Sequence, residues 1–234
     1  MLLIPLGAII NSAGIVAGSL LGMLLGDRLS EGVRKIIFQG LGLCVAVMGL
    51  QMALPTGNML LIMFSIALGA IVGELLDLDK RANSLGDILK ARLKSRNPKF
   101  TDGFVNATML FCIGSLVILG PMEEGLTGNY DLLVTKGILD FFISIALAAV
   151  MGVGVLIAAV PVLLIEALFT YCAGFLQLFM TPEMIVEFKA CGGVMIVGMA
   201  LNVLDLTKIK IFNLLPALVF IVLAVYFKGV FFPG

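Results

Sequence analysis

Two acidic side chains lie deep inside long apolar stretches of the sequence, where an ionised group is costly. Asp140 stands in the run KGILDFFISIALAAV, and Glu166 stands in the run VPVLLIEALF. An ionised carboxylate at the centre of a lipid bilayer costs about 2.5–3.5 kcal/mol, so each must be neutral, paired or open to water. Binding of a proton or Na⁺ would meet this requirement, which makes both residues candidates for the ion-coupling site of a transporter.

Both acids could instead have a structural role that needs no transported ion. Lys136 precedes Asp140 by about one helical turn, so the two residues could form a structural ion pair near the membrane surface. Glu166 has no basic residue near it in the sequence and could be a protonated acid bonded to a backbone carbonyl. The residue pattern leaves these interpretations open.

Neutral polar residues in the apolar stretches could complete a binding site. Ser144 lies one turn after Asp140 on the same helical face. Asn11 stands in the first apolar stretch, where a carboxamide is costly unless it bonds to a neighbour or a ligand. The other candidate substrate-binding or ion-binding residues are Asn106, Ser115, Gln51 and Asn202.

Residues typical of catalytic and metal sites are missing or unsuitably spaced. The sequence contains no histidine, which excludes HExxH metalloprotease, Ser–His and Cys–His chemistry. The four cysteines lie inside apolar segments without CxxC spacing, so we expect buried thiols and neither disulfides nor metal ligands. They are Cys44, Cys112, Cys172 and Cys191. We therefore expect no enzyme activity, no metal site, no cofactor apart from a coupled Na⁺ or H⁺, and no nucleic-acid partner.

The elements that position these residues must be membrane-spanning helices. The chain of 234 residues is 61% hydrophobic and only 13% charged, with a mean hydropathy of +1.16, so no soluble surface could be built from it. A span needs roughly 20 apolar residues. About eight stretches qualify: 4–26, 34–54, 58–76, 104–120, 132–155, 157–180, 188–204 and 211–231. The boundary between the fifth and the sixth has no polar turn and is marked only by Gly152, Gly154 and Pro161. The sequence predicts an all-α polytopic transmembrane helix bundle that includes broken or re-entrant spans.

The fourth of these stretches is interrupted. Residues 101–144 are apolar enough to cross a bilayer, but we expect the first span to be broken at Gly114, Gly120, Pro121, Gly125 and Gly128. Broken backbone at membrane depth is tolerated only where it lines a cavity or packs against protein, so this stretch is a candidate binding or permeation site. In the alternative interpretation, residues 121–131 form a surface loop. Glu123 and Glu124 are expected to face external water.

A stripe of glycines runs along the first predicted span. Gly14, Gly18, Gly22 and Gly26 recur at every fourth position. Such spacing leaves a smooth helix face that a second helix can approach closely. The sequence therefore predicts a helix-packing face of the glycine-zipper type, which would pack either within the chain or between two copies in a homodimer.

Basic residues are concentrated on one side of the predicted bundle. Seven lysines and arginines lie in residues 77–103, where leucines at helical spacing indicate an amphipathic helix on the membrane surface. Alternating the spans outward from this segment places twelve of the fifteen basic residues on its side, which the positive-inside rule assigns to the cytoplasm. Lys136, Lys189 and Lys228 are then external. We expect a single integral-membrane domain, 1–234, in four parts: three spans in 1–76, the cytoplasmic loop 77–103, central broken spans in 104–160 and three last spans in 161–234.

A shift of 151 positions predicts an inverted repeat. It aligns Ser30 with Thr181, Gly42 with Gly193, and Gln51 with Asn202. The second and seventh spans then correspond but run in opposite directions, with the interrupted spans at the centre. Inverted repeats of this kind are common among secondary transporters.

Four blocks of the sequence resemble the bacterial DUF554 family. They are GAIINSAGIVAGSLLG near the N-terminus, GAIVGELLDLDKRANSLGD at 69–87, FVNATMLFCIGSLVILGPMEEGLTGNYDLLVTKGILD at 104–140 and GVGVLIAAVPVLL at 152–164. The similarity spans essentially the whole chain. The resemblance implies a bacterial cytoplasmic-membrane protein, but this family has no assigned function, so it implies no site residues.

The broken spans, the intramembrane acids and the predicted repeat together favour a secondary transporter or permease of a small solute or ion, coupled to protons or sodium. An ion channel with a continuous wet pore is the first alternative. The second is a non-transporting membrane scaffold that binds a partner protein or anionic lipid. The expected partners are the lipid bilayer and a small solute or ion that the sequence does not identify.

Overall fold

A computed structural model describes residues 4–26, 30–113 and 116–231 of the chain. Within these ranges every regular element is helical, which confirms the predicted all-α class. The helices are α1 (Leu6–Gly26), α2 (Glu31–Ala53), α3 (Met59–Leu75), α4 (Leu78–Arg92), α5 (Phe100–Cys112), α6 (Leu116–Thr127), α7 (Asp131–Met151), α8 (Val153–Ile157), α9 (Ala159–Tyr171), α10 (Ala173–Phe179), α11 (Pro182–Val203), a short 3₁₀ helix (Ile211–Leu214) and α12 (Ala217–Phe231).

Several of these helices are long and apolar enough to cross a membrane. The six continuous segments of this kind in the described ranges are Leu6–Gly26, Lys35–Ala53, Asp131–Met151, Val153–Tyr171, Pro182–Val203 and Ile211–Phe231. Two more qualify only as bent pairs, in which α3 meets α4 at 56° and α5 meets α6 at 58°. With each bent pair taken as one span, the described chain has up to eight, as the sequence predicts.

The break in the fourth predicted span lies earlier than most of its glycines. α5 and α6 are separated at residues 113–115, and the predicted breaker Gly114 lies there, outside the described residues. Gly120, Pro121 and Gly125 do not interrupt the chain but lie inside α6. The prediction of helix breaks at these three positions is therefore wrong.

Close packing explains why α6 continues through these residues. A side chain at Gly120 would approach Leu133 of α7 to 2.9 Å, and one at Gly125 would overlap the carbonyl oxygen of Thr170 in α9. Both glycines thus admit a neighbouring helix at short range, and dispersion contacts with that neighbour favour the helix. Those contacts offset the backbone hydrogen bond that Pro121 removes from α6.

The boundary between α7 and α8 depends on a glycine conformation. Gly152 has φ of 75° and ψ of −147°, a combination that side-chain-bearing residues rarely adopt. Asn97 stabilises this boundary because its Nδ2 donates a hydrogen bond to the carbonyl oxygen of Met151 at 2.8 Å. The glycine marked in the sequence therefore does end α7.

The helices group into two compact units. Unit 1 comprises the described residues of Met1–Leu41, Asn83–Cys112 and Leu116–Phe179, and unit 2 those of Gly42–Ala82, Ile113–Ser115 and Met180–Gly234. Each unit collects helices that are far apart in the sequence. The intramembrane acids Asp140 and Glu166 both belong to unit 1.

In unit 1, α1 and α7 run parallel and in close contact. Each glycine of the α1 stripe faces backbone of α7, and the residue numbers of every pair differ by 123: Gly14 with Gly137, Gly18 with Phe141, Gly22 with Ile145 and Gly26 with Ala149. A side chain at any of the four would collide with a backbone carbonyl oxygen of α7. Of the two predicted uses of the stripe, the structure therefore shows packing within the chain.

Several features of the fold repeat at an interval of 151 residues. Val33 donates its backbone N–H to Ser30 Oγ at 3.4 Å, and Met184 donates its own to Thr181 Oγ1 at 3.2 Å, so α2 and α11 start with equivalent caps. In unit 2, α11 and residues 42–53 of α2 are antiparallel. Gly42 contacts Val203 and Leu204, and its counterpart Gly193 contacts Met52 and Ala53. The shift exchanges these two contacts, as expected for a local twofold relation between α2 and α11, and the inverted repeat of the whole chain stays a prediction.

Glu187 joins α11 to the turn between α2 and α3 in unit 2. Its side chain is 2% exposed. One carboxylate oxygen accepts a hydrogen bond from Thr56 Oγ1 at 2.6 Å, and the other accepts one from the Gly57 N–H at 2.7 Å. The turn is therefore held by a charged acceptor from a distant part of the chain.

Replacing Glu187 with Ala should lower the free energy of unfolding by about 1–3 kcal/mol, because two donors lose a charged acceptor. Thermal unfolding of the purified protein in detergent would measure the loss. The matched control is Glu183→Ala, one turn earlier on α11, where an exposed carboxylate pairs with Lys228 at 2.8 Å. Exposed ion pairs contribute little to the free energy of unfolding. Equal losses of stability in the two variants would therefore contradict the role given to Glu187.

Candidate ion-binding site

Three helices of unit 1 bring the predicted acids and Asn11 together. α7 carries Lys136 and Asp140 one turn apart, α9 carries Glu166, and α1 carries Asn11. The close approach of α1 and α7 makes this possible: a side chain at Gly137 would lie only 3.1 Å from the Cα atom of Asn11. Because glycine occupies that position, the short amide side chain can reach α9.

We call Asn11, Lys136, Asp140 and Glu166 the buried charge cluster. Lys136 Nζ donates a hydrogen bond to Asp140 Oδ2 and lies 3.2 Å from Glu166 Oε1. Asn11 Nδ2 donates a hydrogen bond to the same Glu166 oxygen at 2.7 Å. Lys136 and Asp140 are each 5% exposed, and Asn11 and Glu166 are fully buried. One lysine is therefore shared by two carboxyl groups away from solvent.

The buried charge cluster is incomplete in both charge and hydrogen bonding. With all three ionisable groups charged, it carries one surplus negative charge. Within the described part of the chain, Glu166 Oε2 and Asn11 Oδ1 are buried without a hydrogen-bond partner, and so is Ser144 Oγ, which lies outside the cluster one turn after Asp140. Such atoms cost about 1–3 kcal/mol each when left unpaired. The arrangement suits a cation or a proton, which would supply the missing charge.

Glu124 is a buried acid, although the sequence pattern predicts that it faces external water. Its side chain is 2% exposed. Oε1 accepts a hydrogen bond from the Gly7 N–H at 2.7 Å, and Oε2 lies 3.2 Å from Thr170 Oγ1. The expectation for Glu124 is therefore wrong, because α6 does not end at Pro121 and carries the carboxylate into the core of unit 1.

A helical pattern in the sequence could have located Glu124. Val117, Gly120, Pro121 and Glu124 follow the i, i+3, i+4, i+7 spacing of one helix face, and all four are buried. The proline led to a loop prediction and concealed this periodicity. Thr170 connects Glu124 to the cluster, since its Oγ1 also lies 3.0 Å from the carbonyl oxygen of Glu166.

Lys136 is buried inside the protein, which counting charges along the sequence does not indicate. The alternation of spans makes it an external charge, and the ion-pair interpretation places it near the membrane surface. The structure does show the pair with Asp140, but in a buried position. It also supplies the basic partner that Glu166 lacks in the sequence, from a helix 30 residues earlier. No periodicity signals such a contact, because it depends on how α7 and α9 pack.

The remaining candidate residues lie outside the buried charge cluster. Asn202 Nδ2 donates to the Ile209 carbonyl at 2.7 Å, and its Oδ1 accepts from the Ile209 N–H at 2.8 Å and from Thr207 Oγ1 at 2.9 Å. These bonds hold the turn after α11. Gln51 is exposed on α2, and Asn106 is half-buried on α5. Ser115 lies outside the described residues.

The cluster has two carboxyl groups, fewer acidic ligands than a site for a multivalent metal ion usually has. Over the described ranges, no group of three or more histidine, cysteine, aspartate or glutamate residues could hold a metal ion. The donor set of the cluster is one amide, one ammonium and two carboxyl groups. This set can exchange protons or bind a monovalent cation.

Comparison with known proteins identifies relatives over almost the whole chain. The family "Protein of unknown function (DUF554)" matches residues 6–226. The chain is 30% identical over 220 residues to "Uncharacterized protein YqgA" of Escherichia coli (strain K12), covering 91% of this chain and 93% of that protein. It is 32% identical over 216 residues to "Uncharacterized membrane protein YdfK" of Bacillus subtilis (strain 168), covering 91% and 92%. No solved structure matches it significantly.

Proposed function

The chain belongs to the DUF554 family of proteins of unknown function, and from this premise we propose that it is a secondary transporter or permease of a small solute or ion, coupled to protons or sodium. The observation that carries the proposal is the buried charge cluster. With its three ionisable groups charged, it holds one surplus negative charge among helices long and apolar enough to cross a membrane. Buried ionisable groups at membrane depth typically mark ion and substrate pathways.

The geometry suggests how ion binding would be sensed. When Glu166 is neutralised, Lys136 has a single ionised partner, Asp140, one turn away on its own helix. When Glu166 is ionised, the same ammonium is shared with α9 across 3.2 Å. Ion binding therefore changes the attraction between α7 and α9. A change of this kind can bias two conformations of a transporter.

The location and orientation are part of the same proposal. We infer a bacterial cytoplasmic membrane, with the basic segment 77–103 on the cytoplasmic side. Its helix α4 turns 56° away from α3, as a surface helix after a span would. Leu85, Ile88 and Leu93 are half or more exposed along this segment, and they are interspersed with its basic residues. This combination suits the interface of an anionic membrane.

Asp140→Asn should reduce ion-coupled flux to the level of empty vesicles while the protein still folds. The variant removes an ionised group from the cluster, but Lys136 keeps Glu166 as a partner at 3.2 Å. The measurement uses protein reconstituted into liposomes, with an imposed pH or Na⁺ gradient and a luminal pH dye or radioactive Na⁺ as the readout. Folding is checked by thermal unfolding of the same preparation.

The matched control for this experiment is Asp131→Asn, the same chemical change at the exposed start of α7. It should leave the flux unchanged. If Asp140→Asn transports as well as the wild type, the cluster is not the coupling site. Unitary current steps from the wild type in planar bilayers would instead assign the protein to the channels.

A further inference from the structure

Asn11 and Glu166 share one hydrogen bond, and each keeps a buried oxygen that has no partner among the described residues. Asn11 Nδ2 donates to Glu166 Oε1 at 2.7 Å. The other oxygen of each group, Asn11 Oδ1 and Glu166 Oε2, is buried without a partner among the described residues. Both atoms are acceptors, so neither can satisfy the other as the groups stand. A single proton on Glu166 Oε2 would satisfy both, because an amide and a carboxylic acid can form two parallel hydrogen bonds.

The charge balance of the cluster also favours a proton on Glu166. A proton on Glu166 leaves Lys136 and Asp140 as a neutral ion pair, so the buried charges sum to zero. Both residues of that pair are 5% exposed, and Glu166 is fully buried. A net charge in such a place is costly, whereas a matched pair bonded to each other is tolerated.

A metal cation fits this position less well than a proton. Hard cations bind through several oxygen ligands, and the fully buried Asn11–Glu166 pair offers two unpartnered oxygens. The ammonium of Lys136 already lies 3.2 Å from the Glu166 carboxyl and would repel a second cation there. A proton requires one acceptor, adds no volume and leaves the ammonium in place.

We propose that Glu166 is the proton-binding residue of this protein, with the proton carried on Oε2 and donated to Asn11 Oδ1. The identity of the coupling ion as H⁺ rests on the proposed transport function, whereas the proton site itself does not. On release, the proton passes from Oε2 to water, the carboxyl group becomes ionised, and Lys136 is shared between Asp140 and Glu166.

Other ionisable groups face Glu166 from the helices packed around α9. α7 contributes Lys136 and Asp140, α6 contributes Glu124 through Thr170, and α5 contributes the thiol of Cys112, which lies within electrostatic reach of the cluster. α1, α8 and α10 carry no ionisable side chain within their bounds. Glu124 is thus a second buried carboxyl group near Glu166, and the test must separate these two acids.

The test is infrared spectroscopy of the purified full-length protein at neutral pH, which resolves the carbonyl stretch of a protonated carboxylic acid from that of a carboxylate. We expect a protonated-acid band in the wild type that is lost in Glu166→Gln and retained in Glu124→Gln. In Asn11→Val the band should move to the frequency of an acid with a weaker hydrogen bond. The band is assigned to Glu124 instead, and the proposal is overturned, if it survives Glu166→Gln and disappears in Glu124→Gln. Absence of any such band in the wild type also overturns it.

Thermal unfolding of the same variants keeps the test decisive. Gln at 166 can donate its amide N–H to Asn11 Oδ1 and so imitates the protonated acid. The Glu166→Gln variant should therefore unfold near the wild-type temperature at neutral pH, and Glu166→Leu, which has no donor, should unfold well below it. Equal melting temperatures for the Gln and Leu variants would show that no proton bridges Glu166 and Asn11.

Flux measurements on the same proteins distinguish this proposal from the proposed function. An infrared band assigned to Glu166 in a protein without any ion-coupled flux would support the proton site and contradict the proposed transport function. Sodium-driven flux from a protein whose Glu166 is ionised would support the transporter and overturn the proton site. Proton-driven flux that is lost with the band in Glu166→Gln would support both.

Discussion

Replacing Lys136 with Met should destabilise the folded protein by about 3–5 kcal/mol, the cost typical of leaving buried charge without its partner. Methionine has nearly the length of lysine but no charge, so packing changes little. Asp140 and Glu166 would both remain in the interior, and each would lose the ammonium that now faces it. Neutralising one carboxyl by protonation would still leave the other without a counterion.

Chemical or thermal unfolding in detergent measures this loss, with Lys228→Met as the control. Lys228 also pairs with a carboxylate, at 2.8 Å from Glu183, but its side chain is 41% exposed, so water can replace the partner. We expect no measurable change in the control. Equal stability of the two variants would show that the cluster does not depend on its lysine.

A second change should rescue most of the loss. The double variant Lys136→Met with Asp140→Asn removes the ion pair and leaves Glu166 as the one ionisable residue of the cluster. If Glu166 carries a proton, the cluster is neutral again. Replacing both partners of a buried ion pair destabilises a protein far less than removing one partner alone. A double variant as unstable as Lys136→Met alone would show that Glu166 stays ionised.

The sequence identified Asp140, Glu166 and Asn11 because a polar side chain in a long apolar run is conspicuous without any structure. It did not reveal that these residues meet, since the contact depends on the register between α1 and α7 and on how α9 crosses them. Lys136 shows the limit most clearly. Its pairing with Asp140 follows from helical spacing, but its contact with Glu166 requires two helices to pack.

The fold was more predictable at helix ends than at helix interruptions. Gly152 ends α7 because its positive φ excludes most other residues, a local property that the sequence displays. Pro121 had the same local signature of a break, yet it lies inside α6. There, contacts with α7 and α9 outweigh one lost hydrogen bond, and no local rule contains that information.

Replacing Gly22 with Val should separate α1 from α7 and unfold or rearrange unit 1. A Cβ atom at this position would collide with the carbonyl oxygen of Ile145, and backbone cannot move aside as a flexible side chain can. Overpacking typically costs about 1–3 kcal/mol and sometimes more. We expect the upper end of that range, because α1 contacts α7 along its whole length and cannot shift at one point alone.

Gly174→Val is the matched control, since a side chain at Gly174 in α10 would meet no atom within 4 Å. We expect the control to unfold within a degree or two of the wild type. Valine meets no atom there, and the glycine that it replaces is itself unfavourable in a helix by about 0.5–1 kcal/mol relative to alanine. Equal tolerance of valine at both positions would contradict the contact between α1 and α7.

The glycine variants also test how the site depends on the fold. Gly18→Ala is a milder change than Gly22→Val, because alanine adds a single methyl group, which would lie against the Phe141 carbonyl. Where Gly18→Ala still folds, α1 must sit farther from α7, and the position of Asn11 relative to Glu166 changes with it. We therefore expect the protonated-acid band to shift as it does in Asn11→Val, although no residue of the cluster has changed. An unshifted band in a folded Gly18→Ala protein would show that the packing of α1 on α7 does not position Asn11.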